Sequence, residues 1–179
     1  MDKPVIFAIC GKSATGKDYF AHRMYDNFVS HFSGIFYPFI IVSDTTRPPR
    51  KNEQNNIDYN FISAYDFEEN IQDNLYLEYT YFNGAYYGTN KKNVLITPNS
   101  INIGIFNPEG LQKLFKYQTI FDIRPVYLKA SLFTRISRMK KREGGFKLQH
   151  LKRLYSDHKN FKNIYKILKS YHKYYEGHS

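Results

Sequence analysis

Apolar and polar positions along the chain fall into two kinds of run. "PVIFAIC", from Pro4 to Cys10, is a short continuous apolar stretch and reads as a strand buried on both faces, as in a parallel sheet. A glycine-framed turn, Gly11 to Gly16, breaks it. "DYFAHRMYDNFVSHF" then places Phe20, Met24, Phe28 and Phe32 on one face of a helix. "YPFIIV", ending at Val42, predicts a second buried strand. "IDYNFIS", from Ile57 to Ser63, alternates as a half-exposed strand does, and "AYDFEENIQDN" predicts a short helix. "SINIGIFN" and "DIRPVYLKA" predict further core strands, with a helix opening at "EGLQKLF" between them. From Ser131 to about Tyr174 the spacing is largely helical, interrupted at Gly144-Gly145.

Strands alternating with helices predict an α/β fold, with helices layered on a mostly parallel central sheet. The half-exposed section from about 43 to 89 reads as an inserted subdomain. A length of 179 residues fits one domain with a core that needs no staples. The apolar fraction of 42% and aromatic fraction of 18% exclude a disordered chain. Cys10, the lone cysteine, cannot form an internal disulfide, so a reducing, cytoplasmic compartment is expected, with Cys10 as a small core residue. No apolar run approaches a membrane span, and "MDKPVIFAIC" lacks the basic leader and cleavage site of a signal peptide.

Charge is unevenly placed. Residues 1–123 hold 11 Lys/Arg against 13 Asp/Glu, whereas residues 124–179 hold 15 against 3. The basic end reads as a nucleic-acid footprint, as a cationic wall around phosphorylated small molecules, or as a solvated helix face. Its tyrosines and lysines follow no nucleic-acid recognition motif, and the expectation is against a nucleic-acid partner. The six histidines fall singly, without metal-ligand spacing.

"GKSATGKD" matches the phosphate-cradling loop G-x-x-x-x-G-K, and it sits between a buried strand and an amphipathic helix, the context such a loop requires. Backbone N–H groups of Gly11, Ser13, Ala14, Thr15, Gly16, Lys17 and Asp18 are expected to face phosphate oxygens, helped by the positive end of the helix dipole. Lys17 would reach the β- and γ-phosphates, while the side chains of Lys12 and Thr15 read as loop filler. The eighth position is usually Ser or Thr and here is Asp18. A carboxylate could hold Mg²⁺ directly or through water, and it is also simply a favourable anion in a first helical turn.

In "SDTTRPPRKNEQNNIDYNF", Arg47 and Arg50 flank two prolines that keep the backbone extended, so their guanidinium groups can converge on one anion with Tyr59 as a further donor. Asn55-Asn56 supplies a turn. Glu78 lies in the aromatic stretch "YLEYTYFNGAYYGTN". An acceptor-only carboxylate there suits the N1–H and N2–H₂ edge of guanine, and it equally suits a tyrosine-rich sheet with a salt-bridged Glu.

The order and spacing of these blocks strongly resemble guanylate kinase: a phosphate loop, then "S-x-T-T-R-x-P-R…E…DY-x-F", then "LE…G-x-YYG-T". The resemblance runs from Pro4 to Asn90 and again from Val126 to Asn160. It implies one domain with a P-loop kinase core (1–42, 90–135 and 155–179), a monophosphate-binding insert (43–89) and a helical lid (136–154). It implies that Arg47, Arg50, Tyr59 and Tyr87 hold the GMP phosphate and that Ser43, Glu78 and Thr89 hold guanine. Lys17 with the lid arginines Arg138, Arg142 and Arg153 would clamp the transferring phosphoryl group, with ATP as donor and Mg²⁺ as cofactor.

Besides the mild change of the family's turn glycine to Asn56, this chain departs from the family at three places. Asn107 stands where an Asp is usual beside guanine, so base selectivity is expected to be shifted unless Glu78 suffices. Asp18 matches the G-K-D of ribose 1,5-bisphosphate phosphokinase, a relative that lacks the "TTR-x-P-R" block. The end, "YKILKSYHKYYEGHS", lacks the family's Asn-Asp segment, so the last strand is expected to be missing or reshaped. The activity expected is ATP-dependent phosphorylation of GMP and dGMP. The alternatives are a broader deoxynucleoside monophosphate kinase and a non-catalytic interaction domain of guanylate-kinase type. Nothing in the sequence sets an oligomeric state.

Overall fold

In a strand with both faces covered, successive side chains must find partners on opposite sides. β1 (Val5–Gly11) does this: Val5, Phe7 and Ile9 join one apolar cluster, and Ile6, Ala8 and Cys10 join another. α1 (Lys17–Phe32) covers the first face, where Ala21, Phe20, Met24 and Phe28 pack on Ile9, Ile103 and Val126. The second face is covered by Leu111 and Leu114 of α3 (Pro108–Leu114) and by Ile164 and Leu168 of α6 (Ile164–Lys169). Each of these fully buried side chains contributes about 1.5–3 kcal/mol relative to exposure. The computed structural model describes residues 3–82, 84–145, 147–171 and 173–178.

The central sheet has five parallel strands in the order β2 (Tyr37–Ile40), β7 (Ser100–Phe106), β1, β8 (Asp122–Lys129) and β9 (Tyr175–His178). Gly11 at the end of β1 is level with Leu128 near the end of β8. From β1 the chain returns toward one edge of the sheet, and from β8 toward the other. The crevice at that reversal, outside the carboxyl ends of the strands, is where open α/β sheets bind ligands.

Two expectations about the sheet are corrected. The second strand is not buried on both flanks. It is a four-residue edge strand paired only with β7, which leaves Tyr37 exposed. The last strand, expected to be missing or reshaped, is not missing: it is present as the four-residue β9, parallel to β8. An edge strand of four residues, three of them exposed, carries no continuous apolar run, so its sequence shows no strand signal.

A second sheet, ordered β4 (Asn60–Phe61), β3 (Asp44–Thr45), β6 (Ala85–Asn90) and β5 (Tyr76–Phe82), is built from the segment read as an insert, with β6 running one residue past it to Asn90. α2 (Ala64–Gln72) closes it through Phe67, which is fully buried and stacks on Tyr76 and Tyr86 with ring centroids 4.5 and 5.1 Å away. Buried Asp44 ties three strands together, accepting from Asn60 Nδ2 at 2.8 Å and from the Tyr76 hydroxyl at 3.0 Å. Asn56 adopts φ +62°, the left-handed conformation its turn demands.

After β8 come α4 (Leu132–Glu143) and α5 (Leu148–Asn160). Arg135, Arg138 and Arg142 recur at helical spacing on one side of α4, and Arg153 and Asp157 do so on α5.

Candidate active site

The loop between β1 and α1 is set by its own chain. Ala14 and Gly16 take positive φ, +62° and +92°, and Gly16 opens the helix at Lys17. Glycine suits that position because the left-handed region is costly for residues with a Cβ. The Thr15 hydroxyl donates to Lys12 O at 2.9 Å, so this side chain braces the loop rather than merely filling it. Lys17 folds back over the turn and donates to Gly11 O at 2.9 Å and Lys12 O at 3.2 Å. Burial pulls its ammonium below the usual lysine range, with Asp18, Cys10 and Asp157 opposing that shift and Arg135 adding to it.

Residues from α4 and α5 reach the same loop. Arg138 donates to Thr15 O at 3.1 Å and to Ala14 O at 3.4 Å. Arg135 donates through Nε to Ser13 O at 2.8 Å and pairs with Asp157. Asp157 in turn accepts from the Ser13 N–H at 2.9 Å and its hydroxyl at 3.0 Å.

In the insert, Arg47, Arg50, Tyr59 and Tyr87 come together. Arg47 lies over the Tyr59 ring, 5.3 Å from its centroid, and feels the Tyr87 hydroxyl, while the Tyr59 and Tyr87 rings meet edge to face at 6.0 Å. Glu53, which entered the sequence reading only as the E of the family pattern and was given no role there, binds both arginines: Arg47 at 2.8 and 3.1 Å, and Arg50 Nη1 at 3.0 Å. Burial opposes ionisation of Glu53, but these guanidiniums outweigh it and hold the carboxyl below its usual range. Among the described residues, Arg47 Nε is buried without a hydrogen-bond partner. A buried donor left over beside a second guanidinium is what an arriving anion satisfies.

A second group in the same sheet surrounds Glu78. Its carboxylate is buried and accepts from the Thr89 hydroxyl at 2.7 Å. Burial raises its pKa to about 7, with Thr89 and Lys113 only partly opposing. Gly110 makes room for it: a Cβ there would stand 2.5 Å from Glu78 Oε2. Asn107 caps α3, its Oδ1 accepting from Gly110 N–H at 2.7 Å while Nδ2 donates to Thr80 at 2.6 Å. The amide expected to face a base is thus oriented by its own helix and by β5. Ser43 stands just before β3, its carbonyl accepting from Asn60 N–H at 2.9 Å.

The phosphate loop, the lid arginines and the two-arginine cluster of the insert lie within reach of one another's charges. Arg50 lies below its usual range chiefly through burial, then through Arg47, with the positive fields of Arg142 and Arg153 adding to the effect. Tyr59 is pushed up by burial and then by the carboxylate of Asp18 across the cleft. Asp18 itself is exposed in the first turn of α1. A single exposed carboxylate fits Mg²⁺, which keeps several waters and takes one or two carboxylates beside substrate phosphates.

The residues missed from sequence were Glu53, Arg135 and Asp157, and each had a faint signal. Glu53 follows a basic run by i, i+3 from Arg50, Arg135 extends the Arg138–Arg142 row by one turn, and Asp157 is one of three acids in the basic end.

A family model described as guanylate kinase matches residues 1–171. The guanylate kinase of Neisseria gonorrhoeae is 39% identical over 89 residues, covering 50% of this chain and 40% of that protein. The guanylate kinase of Clostridium tetani is 38% identical over 95 residues, covering 53% and 42%. The chain thus spans less than half the length of these curated relatives. The crystal structure of guanylate kinase from Anaplasma phagocytophilum aligns over 99% of this chain and 78% of its own, with a TM-score of 0.67 and 16% identity, a likeness of fold.

Proposed function

The chain belongs to the guanylate kinase family, and from that premise we propose that it transfers the γ-phosphoryl group of ATP to GMP and dGMP. The observation that carries this reading is the opposition, across one crevice, of two phosphate-holding groups. Lys17 and Arg138 lie on the loop side, and Arg47, Arg50, Tyr59 and Tyr87 lie on the insert side, with Arg142 and Arg153 felt at Arg50.

The loop N–H groups from Gly11 to Asp18 cradle the ATP phosphates, and Lys17 reaches the β- and γ-oxygens. Arg47, Arg50, Tyr59 and Tyr87 hold the GMP phosphate, with Glu53 keeping the two guanidiniums aligned. Glu78 accepts from N1–H and N2–H₂ of guanine, Thr89 orients Glu78, and Ser43 and Asn107 complete the rim of the base pocket. An oxygen of the GMP phosphate attacks the γ-phosphorus in line as the bond to the β–γ bridging oxygen breaks, leaving ADP and GDP. No protein base is needed, because the nucleophile is already ionised. Lys17, Arg138, Arg142 and Arg153 stabilise the charge spread over the equatorial oxygens. Asp18 would hold Mg²⁺, directly or through water, and the ion neutralises β- and γ-phosphate charge when bound. The core, insert and lid boundaries follow the family reading: 43–89 binds GMP, and 136–154 closes over ATP.

A cytoplasmic setting is proposed from the ATP donor and the single, fully buried Cys10. Among the described residues no helix is long and apolar enough to cross a membrane. The decisive experiment is turnover with GMP, dGMP, AMP, dTMP and dCMP, on the native chain and on Lys17→Ala. GMP and dGMP should lead, and Lys17→Ala should lose more than about tenfold. AMP turned over as fast as GMP would sink the guanine assignment. A twofold loss in Lys17→Ala would sink the loop assignment, and no turnover with any acceptor would favour an interaction domain.

A further inference from the structure

We propose that the buried Arg135–Asp157 ion pair is a positioning device: it pins the phosphate loop to the roots of the two helices that carry Arg138, Arg142 and Arg153. The side chains are 7% and 2% exposed, and between them they take every polar group of Ser13. Asp157 accepts from the Ser13 N–H at 2.9 Å and from its hydroxyl at 3.0 Å, and Arg135 Nε donates to its carbonyl at 2.8 Å. One ion pair therefore joins three segments, the loop, α4 and α5.

Stability is a weak reason for such a pair. Taking two charges out of water costs several kcal/mol per ion, and an apolar pair of similar volume is often as stable or more so. What an apolar pair lacks is direction. Arg135 stands one turn before Arg138 and two before Arg142, and Asp157 one turn after Arg153, so these side chains share the helix faces turned toward the loop. Fixing Arg135 and Asp157 on Ser13 sets the rotation of both helices about their axes, and with it the reach of the arginines. Arg138 is already seated on Thr15 O at 3.1 Å. In phosphoryl transfer a misplacement of about 1 Å costs on the order of a hundredfold, so a rigid reference between loop and lid has a catalytic use.

The inference rests on the proposed reaction for its kinetic reading, and Mg·ADP affinity supplies a second, independent one. The variants are the double replacement Arg135→Leu/Asp157→Ala, which leaves no unpaired charge, and the isosteric Asp157→Asn. Calorimetric affinity for Mg·ADP, melting temperature, kcat and both KM values would be measured on each. The double variant is expected to melt near the native temperature, to bind Mg·ADP at least about tenfold more weakly, and to lose at least about tenfold in kcat, with KM for GMP unchanged within about twofold. A double variant with native affinity and native kcat overturns the inference, whatever its melting temperature. If the double variant does not fold, Asp157→Asn decides by the same readings. If the native chain binds Mg·ADP but phosphorylates no GMP, the proposed reaction has failed and the affinities alone decide the pin.

Discussion

Glu53 holds Arg47 and Arg50 together: one carboxylate accepts from both guanidiniums at 2.8–3.1 Å and from the Arg50 backbone N–H at 2.8 Å. Two neighbouring guanidiniums repel, and the bridge keeps them side by side in the geometry a phosphate needs. Removing the carboxylate frees both chains to swing into solvent. Glu53→Ala is expected to raise KM for GMP by about tenfold and to change kcat by less than about threefold. A lower KM would instead mean that Glu53 competes with phosphate for the arginines.

Under the proposed reading, in which Glu78 accepts from guanine, its carboxyl, raised to about 7, makes base binding pH-dependent. Guanine's N–H donors need the ionised form, so KM for GMP should climb by about tenfold per unit as pH falls below about 7. Stability runs the other way. A carboxyl whose folded pKa lies above its unfolded value favours the fold fully below the unfolded pKa, and that contribution is lost as pH rises through about 7. From the raised value, the penalty at pH 8 is on the order of 3 kcal/mol. Glu78→Gln should therefore bind GMP poorly at every pH yet melt higher than the native chain at pH 8, with little difference at pH 4. Equal melting temperatures at pH 8 would contradict the raised pKa.

Gly110 lies inside a helix, where alanine is ordinarily favoured by about 1 kcal/mol. A Cβ there would stand 2.5 Å from Glu78 Oε2 and push that carboxylate off its place. Gly110→Ala is expected to raise KM for GMP by at least about tenfold while leaving KM for ATP alone. Unchanged GMP kinetics would show that Glu78 does not need its present position.

Asp18 is tested by comparing replacements across a magnesium titration. Asp18→Asn keeps the shape but weakens the ligand, and should cost more than about tenfold in Mg²⁺-dependent turnover. Asp18→Ser, which restores a hydroxyl at that position, should keep much of the activity. The opposite ranking would leave the carboxylate as a helix-end anion only.

The β1–loop–α1 unit was legible because everything that forms it lies within one continuous stretch, from Val5 to Phe32. A buried run, two positions suited to turns and a helical stripe each act on near neighbours. The insert's arginines and tyrosines were legible for a similar reason: prolines, an asparagine turn and strand alternation fix their local directions. β9 was not legible, because an edge strand needs no apolar run, and its pairing depends on where β8 already lies.

The chain by itself determined the α/β layering, the phosphate loop and the residue types brought to the crevice, since these follow from spacing and local backbone preference. Tertiary structure alone decided which groups satisfy one another. Ser13 and Asp157 are 144 positions apart, and Glu78 and Gly110 are brought together from different layers. Asn107 turned out to be committed to α3 and β5. Buried charges and amides find partners by proximity in space, which sequence spacing does not encode, and so the Arg135–Asp157 pair, the Glu53 bridge and the Glu78–Gly110 approach appear only once the chain is folded.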